Sequence, residues 1–392
     1  MKSISKILLV ALVIGAYCCS PKGDGSVTII DVGGSKMAVF SLNELKADTT
    51  TLLLSSLVED CILVQLQSVE DAYIRPGVTT ITEKYIGVRQ SGAPYKLFDR
   101  SGKFLRNVGS IGRGPGEWTI SLYDEIIDDK NELIYLSSFM NDRILVYSTS
   151  GQFLKDIVAP HRLQKPKMFL SDGILTVVHM PFENDRAVAF QFDVNTGEIL
   201  KELAPPPAHL IIQSFDSELF SNRNAQGVFD LNHTSSDTLY HFDTKSNKLL
   251  PAFNVTYSSS ENIWKRYFQL NKDIFLTNVS YMGTDPNTGR QRYIPRGTVA
   301  TDLKSMTSSW IKVVNDYYGN MPVSIGSIHN GYWVYNIQPE QLMEDIENRL
   351  ARRNITDNDR QVLTKTLSTL KENTNNVVFI GKLKNEVRTK LW

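Results

Sequence analysis

A glycine-rich stretch is the first candidate for chemistry in this sequence. Residues 111–118 read Ile-Gly-Arg-Gly-Pro-Gly-Glu-Trp. Closely spaced glycines can bring backbone N–H groups to a phosphate, but the third glycine comes too early for G-x-G-x-x-G, and no helical pattern or Gly-Lys-Ser/Thr follows. The stretch therefore predicts a rigid structural turn, formed by Gly112, Gly114, Pro115 and Gly116, in which Gly114 and Gly116 are expected to have a positive φ. We expect Arg113 and Glu117 to form an ion pair that braces the turn, the alternative being that both face a ligand.

The histidines and cysteines give no pattern typical of a metal or catalytic centre. None of the histidines pairs with another at metal-ligand spacing, and H-E-x-x-H and C-x-x-C are absent; the six are at positions 161, 179, 209, 233, 241 and 329. There is no G-x-S-x-G nucleophile elbow. Acidic runs such as residues 128–131 are typical of solvated hairpin tips, with calcium ligands as the alternative. We expect no metal site, no cofactor and no catalytic residue.

Two aromatic clusters are candidates for ligand contact. One contains Trp264, Tyr267 and Phe268, and the other contains Tyr317 and Tyr318. Both lie in stretches that look irregular. Exposed rings can stack on sugar rings or pack against peptide side chains, and the alternative is that they belong to the core. The candidate ligand-binding residues are therefore Arg113, Glu117, Trp118, Trp264, Tyr267, Tyr317 and Tyr318.

The overall charge excludes one class of partner. The chain of 392 residues has 42 basic and 42 acidic residues, and no basic run interrupts this balance. Nucleic-acid binding depends on a surplus of positive charge, so we expect no nucleic-acid partner.

The N-terminus has the features of an export signal. Lys2 and Lys6 precede an apolar run over residues 7–16, which is too short to span a bilayer. A small residue precedes Cys19 as in a bacterial lipobox, so we expect lipidation at Cys19, with ordinary cleavage after Cys18 as the alternative. The predicted organisation is a signal peptide over residues 1–18, a tether over residues 19–30 and a folded part over residues 31–392. The membrane would be contacted only through the lipid anchor, at the outer membrane facing the periplasm or the surface.

A repeated strand–turn–strand unit predicts the fold. Four copies carry alternating apolar residues, then Asp or Ser, then a turn at Gly or Asn, and the turn residues are Gly102, Gly151, Gly197 and Asn247. Gly and Asn tolerate positive φ, and Asp or Ser can hydrogen-bond the backbone of the turn. The intervals of 49, 46 and 50 residues are typical of the blades of a β-propeller.

The remaining segments complete this prediction. Weaker units near residues 298–314 and 377–383 bring the blades to six, and we expect N-terminal strands to complete the last blade. Leu342, Ile346 and Leu350 recur at helical spacing, and a capping pattern starts at Thr356. We therefore predict an all-β, six-bladed β-propeller with a helical hairpin inserted over residues 339–373, as a cover on the propeller or, alternatively, a lid or docking element.

The same residues resemble a known family. Residues 111–118, residues 55–61 and residues 375–384 are similar to the GxGPGE-aromatic stretch, the start and the end of six-bladed propeller lipoproteins of Bacteroides-type bacteria, which are related to NHL-repeat propellers. The resemblance covers most of the chain after the signal peptide. It implies a propeller fold and an export route, and it carries over no catalytic residues.

These observations predict an exported, lipid-anchored propeller that acts as a ligand-binding or scaffold protein of the cell envelope. Its partner would be a glycan, a peptide or an envelope protein, bound in the central funnel. The alternatives are a calcium-dependent, lactonase-like hydrolase and a structural subunit of an envelope complex. The hydrolase requires carboxylate and amide oxygens that converge near the channel axis.

Overall fold

The computed structural model describes residues 25–212, 217–234, 236–259, 262–286, 288–324 and 328–385. The predicted signal peptide and Cys19 lie outside these residues. Six sheets of four to six strands are arranged as the blades of a propeller, and the predicted fold class is confirmed.

The N-terminal segment contributes strands to three different blades. The strands are β1 (Thr28–Val32), β2 (Ser35–Ser41), β3 (Thr49–Leu53) and β4 (Ile62–Gln65), with the single-turn helix α1 (Leu54–Leu57) between the last two. The first strand therefore begins within the segment 19–30 that the sequence analysis assigns to a tether.

Blades 1, 2 and 3 each contain four consecutive antiparallel strands. Blade 1 contains β5 (Gly77–Ile81), β6 (Tyr85–Gln90), β7 (Tyr95–Asp99) and β8 (Phe104–Val108). A small parallel pair follows, β9 (Ser110–Ile111) and β10 (Glu117–Trp118). Blade 2 contains β11 (Leu122–Asp128), β12 (Leu133–Ser138), β13 (Asn141–Ser148) and β14 (Phe153–Leu163), and blade 3 contains β15 (Lys167–Ser171), β16 (Ile174–Val178), β17 (Ala189–Asp193) and β18 (Ile199–Leu203).

Blades 4 and 5 are extended by the N-terminal segment. Blade 4 contains β19 (Leu219–Phe220), β20 (Phe229–His233), β21 (Thr238–Asp243) and β22 (Lys248–Thr256), and blade 5 contains β23 (Ile263–Gln269), β24 (Ile274–Thr284), β25 (Gln291–Asp302), β26 (Thr307–Asn315) and β27 (Met321–Val323). Strand β2 pairs in parallel with β22, and β3 pairs in parallel with β26. The N-terminal segment thus covers the outer strands of two blades before it enters the third.

Blade 6 closes the ring. It contains β28 (Ile328–His329), β29 (Tyr332–Ile337) and β30 (Val377–Lys382), and β4 pairs antiparallel with β30 as its outermost strand. A strand from the beginning of the chain therefore completes the last blade, as predicted from the repeat count. Pairing the two ends of the chain removes the open edges that the ring would otherwise have.

The turn chemistry of the repeat is confirmed in all four copies. The φ angles of Gly102, Gly151, Gly197 and Asn247 are 89°, 84°, 76° and 55°, so all four turn residues adopt the left-handed conformation that Gly and Asn tolerate. Asp193 shows how the preceding acid acts: its Oδ1 accepts hydrogen bonds from the backbone N–H groups of Asn195 at 2.7 Å and Thr196 at 3.0 Å. These bonds lower the pKa of the Asp193 carboxyl.

The helical insertion joins β29 to β30. It contains α2 (Pro339–Leu350) and α3 (Asp357–Thr369), and the Thr356 hydroxyl caps α3 by accepting from the N–H of Asp359 at 3.1 Å. Leu342, Ile346 and Leu363 are buried together with residues of blades 5 and 6. The apolar helical face therefore packs against the propeller, as the cover interpretation requires. Within the described residues, no helix is long and apolar enough to cross a membrane.

Candidate binding site in the propeller channel

A cavity of about 450 Å³ lies at the channel end where the first strands of the blades begin. All six blades contribute to its wall, because the first strand of each blade faces the centre of the ring. Its polar and charged lining residues include Arg89, Tyr123, Asp124, Lys167, Glu218, Asn222, Arg266, His329 and Asn336. Such a concave, largely preformed pocket with convergent polar groups is typical of a ligand-binding site.

Arg223 connects four blades across the channel. Residues 221–224 follow the first strand of blade 4, and Arg223 itself has a positive φ of 52°. Its Nη1 donates to Asp124 Oδ2 at 3.2 Å and to the Met168 carbonyl at 2.8 Å, and its Nη2 donates to His329 Nε2 at 2.9 Å. These partners belong to blades 2, 3 and 6. Both members of the Arg223–Asp124 pair are almost fully buried.

The hydrogen bond from Arg223 determines which nitrogen of His329 carries the proton. Its Nε2 accepts a hydrogen bond from an arginine, so this nitrogen carries no proton. Burial lowers the pKa of His329 well below its usual range, and the charge of Arg223 lowers it further. His329 is therefore neutral across the physiological pH range.

A second buried ion pair lies beside the first. Arg89 Nε donates to Glu125 Oε2 at 2.5 Å, and the Thr80 hydroxyl donates to Glu125 Oε1 at 2.6 Å. The Arg89 charge and these hydrogen bonds keep the pKa of Glu125 below its usual value although burial opposes this. The carboxylates of Asp124 and Glu125 are thus both engaged by an arginine and by further hydrogen-bond donors.

Two of the cations at the cavity have no ion-pair partner among the described residues. Three carboxylates each pair with one cation: Asp124 with Arg223, Glu125 with Arg89, and Glu218 with Lys165. Two further cations, Lys167 and Arg266, line the cavity and form no ion pair with any carboxylate in the described part of the chain. Lys167 and Arg266 are therefore two cavity cations without an ion-pair partner among the described residues, and the one further buried carboxylate nearby, Asp230, accepts from the N–H groups of Asn222 and Arg223.

Lys167 and Arg266 are held by uncharged groups. The Lys167 ammonium donates to the Tyr123 carbonyl at 3.2 Å and lies 4.8 Å from the centre of the Tyr123 ring. The Arg266 guanidinium lies 4.4 Å from the Phe220 ring and 4.8 Å from the Phe268 ring, and its buried Nε has no hydrogen-bond partner among the described residues. Burial lowers the pKa of Lys167 to about 8 and that of Arg266 to about 10, so both remain protonated at neutral pH. An anionic group would supply the partner that each cation lacks.

Aromatic rings continue from the cavity along blade 5. Phe220 lines the cavity, Trp264 lies 6.2 Å from Phe220, and Tyr293 lies 6.0 Å from Trp264. Trp264 is half-buried, whereas Tyr293 is exposed on the hairpin formed by β24 and β25. These three residues form what we call the aromatic strip. It offers ring faces next to the unpaired cations.

The candidate residues predicted from the glycine-rich stretch lie elsewhere. This stretch forms the connection between blades 1 and 2, and none of its residues lines the cavity. The expected ion pair between Arg113 and Glu117 is not formed. The Glu117 carboxylate instead accepts from the Gly114 N–H at 2.7 Å and from the Ser110 hydroxyl at 3.0 Å, because this acceptor-only group closes the turn more directly through the backbone. Arg113 is exposed.

The turn requires its glycines for different reasons. Gly116 has φ 73°, as predicted, and a Cβ there would lie 2.7 Å from the Phe153 ring. A Cβ on Gly112 would lie 2.0 Å from Glu117 Oε2. The expectation of a positive φ at Gly114 is wrong, since only Gly116 adopts the left-handed conformation in this stretch. Pro115 lies in the same turn, between Gly114 and Gly116.

Most of the predicted aromatic candidates belong to the core. Trp118 and Tyr267 are fully buried, and neither is available to a ligand. Tyr317 and Tyr318 are half-buried against the core of blades 5 and 6, and Tyr318 packs edge-on against Phe379. The first cluster does not lie in an irregular stretch, because Trp264, Tyr267 and Phe268 are all on β23. Of the predicted candidates, only Trp264 lies beside the cavity.

Sequence reasoning missed Lys167, Arg266 and Arg223. These residues come from three blades and share no local motif. One signal was present for Arg266: a charged residue interrupts the apolar pattern of a strand that reads Ile-Trp-Lys-Arg-Tyr-Phe-Gln. The neighbouring Lys265 is also a cation of this strand but pairs with Asp237 and does not line the cavity, so the sequence alone does not tell which of the two faces the channel.

Comparison with solved structures supports the fold. One similar structure is a protein of Bacteroides fragilis that is described as exported; it has 16% identity and a TM-score of 0.56, and the alignment covers 86% of this chain and all of that chain. Another is a member of the DUF4221 family from Bacteroides vulgatus, with 11% identity, a TM-score of 0.47 and coverage of 93% of this chain and all of that one. At 16% identity the likeness to the Bacteroides fragilis protein concerns the fold alone.

The sequence itself matches a family without an assigned activity. No curated protein matches the chain. The profile of a domain of unknown function, DUF4934, matches residues 37–382, which include all six blades and the helical insertion. The chain therefore belongs to the DUF4934 family.

Proposed function

We propose that this protein is a binding protein of the cell envelope that takes up an acidic carbohydrate at the mouth of its channel. The observation that carries the proposal is the pair of cations, Lys167 and Arg266, which lack a carboxylate partner among the described residues and line a concave cavity. An ionised carboxylate or sulfate can form a charge-assisted hydrogen bond with either cation.

The aromatic strip supports a sugar as the carrier of the acidic group. Sugar rings have an apolar face that packs against aromatic rings, and Trp264 and Tyr293 offer such ring surfaces next to Phe220. The cavity is also bordered by the amide of Asn336, which can bind a hydroxyl group, whereas the amide nitrogen of the buried Asn222 already donates to Asp230 and to the Tyr267 carbonyl. The proposal therefore combines charge recognition inside the cavity with stacking outside it.

A calcium-dependent hydrolase has less support. That reading requires free carboxylates that converge near the channel axis, whereas Asp124, Glu125 and Glu218 each pair with a cation. A purely structural subunit would be favoured by an exposed apolar face on the helical hairpin, but Leu342, Ile346 and Leu363 face the propeller. Binding remains the function that this geometry favours.

The proposal is tested by calorimetric titration. The ligands are uronate-containing and sulfated oligosaccharides, compared with neutral oligosaccharides of the same length. We expect binding of the acidic sugars only. Lys167→Met and Arg266→Met should each weaken it by about tenfold or more, because a hydrogen bond to a charged group contributes about 1.5–3 kcal/mol. Lys304→Met and Arg292→Met are matched controls, since both cations form exposed ion pairs on blade 5.

Two outcomes would refute the proposal. Equal binding of neutral and acidic sugars would show that Lys167 and Arg266 have no role in recognising the ligand. Binding of acidic peptides in preference to acidic sugars would show that the aromatic strip does not select a carbohydrate.

The envelope location is proposed from the N-terminal sequence. Cys19 follows an apolar run and a small residue, as in a lipobox, and the structurally similar protein of Bacteroides fragilis is described as exported. We expect mass spectrometry of the mature protein to find an acylated Cys19, and Cys19→Ser to release the protein from membranes. An unmodified mature N-terminus would instead favour ordinary secretion.

A further inference from the structure

A cluster of two histidines and one aspartate lies between blades 2 and 3. One nitrogen each from His161 and His179 and one oxygen of Asp185 lie within 4.8 Å of one another. His161 is near the end of β14, while His179 and Asp185 lie in the connection from β16 to β17. None of these residues lines the channel cavity.

Each imidazole has one buried nitrogen without a hydrogen-bond partner among the described residues. His179 is fully buried, and its Nε2 donates to the Ala187 carbonyl at 2.8 Å, so its unpartnered Nδ1 carries a lone pair. His161 Nδ1 lies 3.1 Å from the Arg162 carbonyl and donates to it, so its unpartnered Nε2 also carries a lone pair. A buried acceptor without a donor is energetically unfavourable, and this cluster contains two.

The carboxylate is held in place by its own turn. Asp185 Oδ2 accepts from the Phe182 N–H at 2.8 Å, and the Asp185 N–H donates to the Phe182 carbonyl at 3.1 Å. This arrangement places Oδ1 3.8 Å from Nδ1 of the His161 ring, which is the nitrogen that donates to the Arg162 carbonyl and not the one that would bind a metal. The neighbouring Arg186 forms its ion pair with Glu202, so the basic residue adjacent to Asp185 does not neutralise it.

We propose that His161, His179 and Asp185 bind a divalent transition-metal ion, with Zn²⁺ preferred. Two imidazoles and one carboxylate are a recurrent ligand set of zinc sites that keep an open fourth position. A tetrahedral ion with bonds of about 2.0–2.1 Å places its ligand atoms about 3.3 Å apart, so the side chains must close by about 1.5 Å. His161 and Asp185 have 19% and 18% of their side chains exposed, which lets solvent occupy the open position.

The ligand atoms and the aromatic surroundings of the site favour a transition metal over calcium. The rings of His161 and His179 pack edge to face with centres 5.0 Å apart, and Phe190 packs against both. Imidazole ligands suit zinc, copper and nickel, whereas calcium requires six or more oxygen ligands. The described cluster supplies only one carboxylate.

Calorimetric titration of the mature protein with Zn²⁺, purified without a polyhistidine tag, tests the proposal. We expect one saturable site, and Co²⁺ in the same site should give the visible absorption bands of a tetrahedral complex. His161→Gln and Asp185→Asn should weaken Zn²⁺ binding by more than about tenfold, since even the loss of a group behind the ligands costs about 10–100-fold. His209→Gln is the matched control, because His209 is exposed in another part of the ring.

The variants also separate binding from folding. His179 is fully buried, so His179→Gln tests the site only if its circular dichroism and melting temperature match those of the parent. His161 and Asp185, which are partly exposed, keep the proposal testable without it. The proposal is overturned if the parent protein shows no saturable Zn²⁺ binding, if His161→Gln and Asp185→Asn bind like the parent, or if His209→Gln loses the site.

Discussion

Arg223 and Asp124 are 99 residues apart in sequence and form a two-pronged ion pair inside the channel, with Nη1–Oδ2 and Nη2–Oδ1 distances of 3.2 and 3.3 Å. The pair joins blade 4 to blade 2 across the ring. The same guanidinium donates to the Met168 carbonyl and to His329, which extends the connection to blades 3 and 6. The Arg223 side chain thus links blade 4 to its neighbour, blade 3, and to two blades that are not adjacent to it, blades 2 and 6.

We predict that Asp124→Asn lowers the free energy of unfolding by about 3 kcal/mol, because breaking a buried pair leaves Arg223 with an uncompensated buried charge. Urea unfolding of the purified protein measures this loss. The matched control is Asp156→Asn, whose pair with Arg143 is on the outside of blade 2 and whose loss should cost less than about 1 kcal/mol. Equal effects of the two substitutions would mean that the channel pair has no special role in stability.

Gly116 and Gly114 provide a matched pair of substitutions within one turn. We predict that Gly116→Ala destabilises the protein by about 2 kcal/mol, because Ala disfavours the observed φ of 73° and its Cβ would meet the Phe153 ring. Gly114→Ala should cost less than about 1 kcal/mol, since its φ is not positive and the Cβ would meet only the end of the Glu117 side chain at 3.0 Å. Thermal unfolding distinguishes them, and a larger effect at Gly114 would contradict this account.

The repeat was predictable because turn chemistry is local. The left-handed residue and the Asp or Ser before it lie within a few positions of each other in each copy, so the sequence alone placed Gly102, Gly151, Gly197 and Asn247 in turns. The parallel additions of β2 and β3 were not predictable in this way. They depend on pairing with strands more than 200 residues further along the chain, and the short strands β2 and β3 carry no signal that identifies their partners.

The channel site was missed for a related reason. Each blade contributes one or two residues, so Lys167 and Arg266 come together only when the ring closes. The residues of the glycine-rich stretch are adjacent in sequence and form a visible motif, but in the structure Gly116 and Glu117 close a turn away from the cavity. His161 and His179 are likewise 18 residues apart, a spacing typical of no metal motif, and they meet because consecutive blades pack side by side.

His329 should make stability depend on pH. Its pKa in the folded protein is well below 6.5, so below about pH 6.5 an unfolded chain takes up a proton that the folded protein does not. The free energy of unfolding should therefore fall as pH decreases from about 6.5, by about 1.4 kcal/mol per pH unit for this one proton. His233 contributes in the same direction, because burial lowers its pKa to about 4.

The contribution of His329 can be isolated by substitution. Gln retains an acceptor for Arg223 but does not titrate, so His329→Gln should flatten the pH dependence by about one proton. Urea unfolding at about pH 7, 6 and 5 gives the slopes of the parent and the variant. An unchanged slope would show that His329 does not remain neutral in the folded protein.

Trp118 and Trp264 should separate stability from binding. Trp118 is fully buried between blades 1 and 2, so Trp118→Ala creates a cavity in the core and should cost about 3–5 kcal/mol of unfolding free energy. Trp264 is half-buried in the aromatic strip beside the channel cavity, so Trp264→Phe keeps a ring there and should cost less than about 1.5 kcal/mol. Under the proposed function, Trp264→Ala should weaken binding of an acidic oligosaccharide while Trp264→Phe retains most of it, because stacking requires an aromatic face. Calorimetric titration of both variants under conditions where each is folded decides the point: if Trp264→Ala binds like the parent, the strip does not contact the ligand, and the cations of the cavity must account for recognition alone.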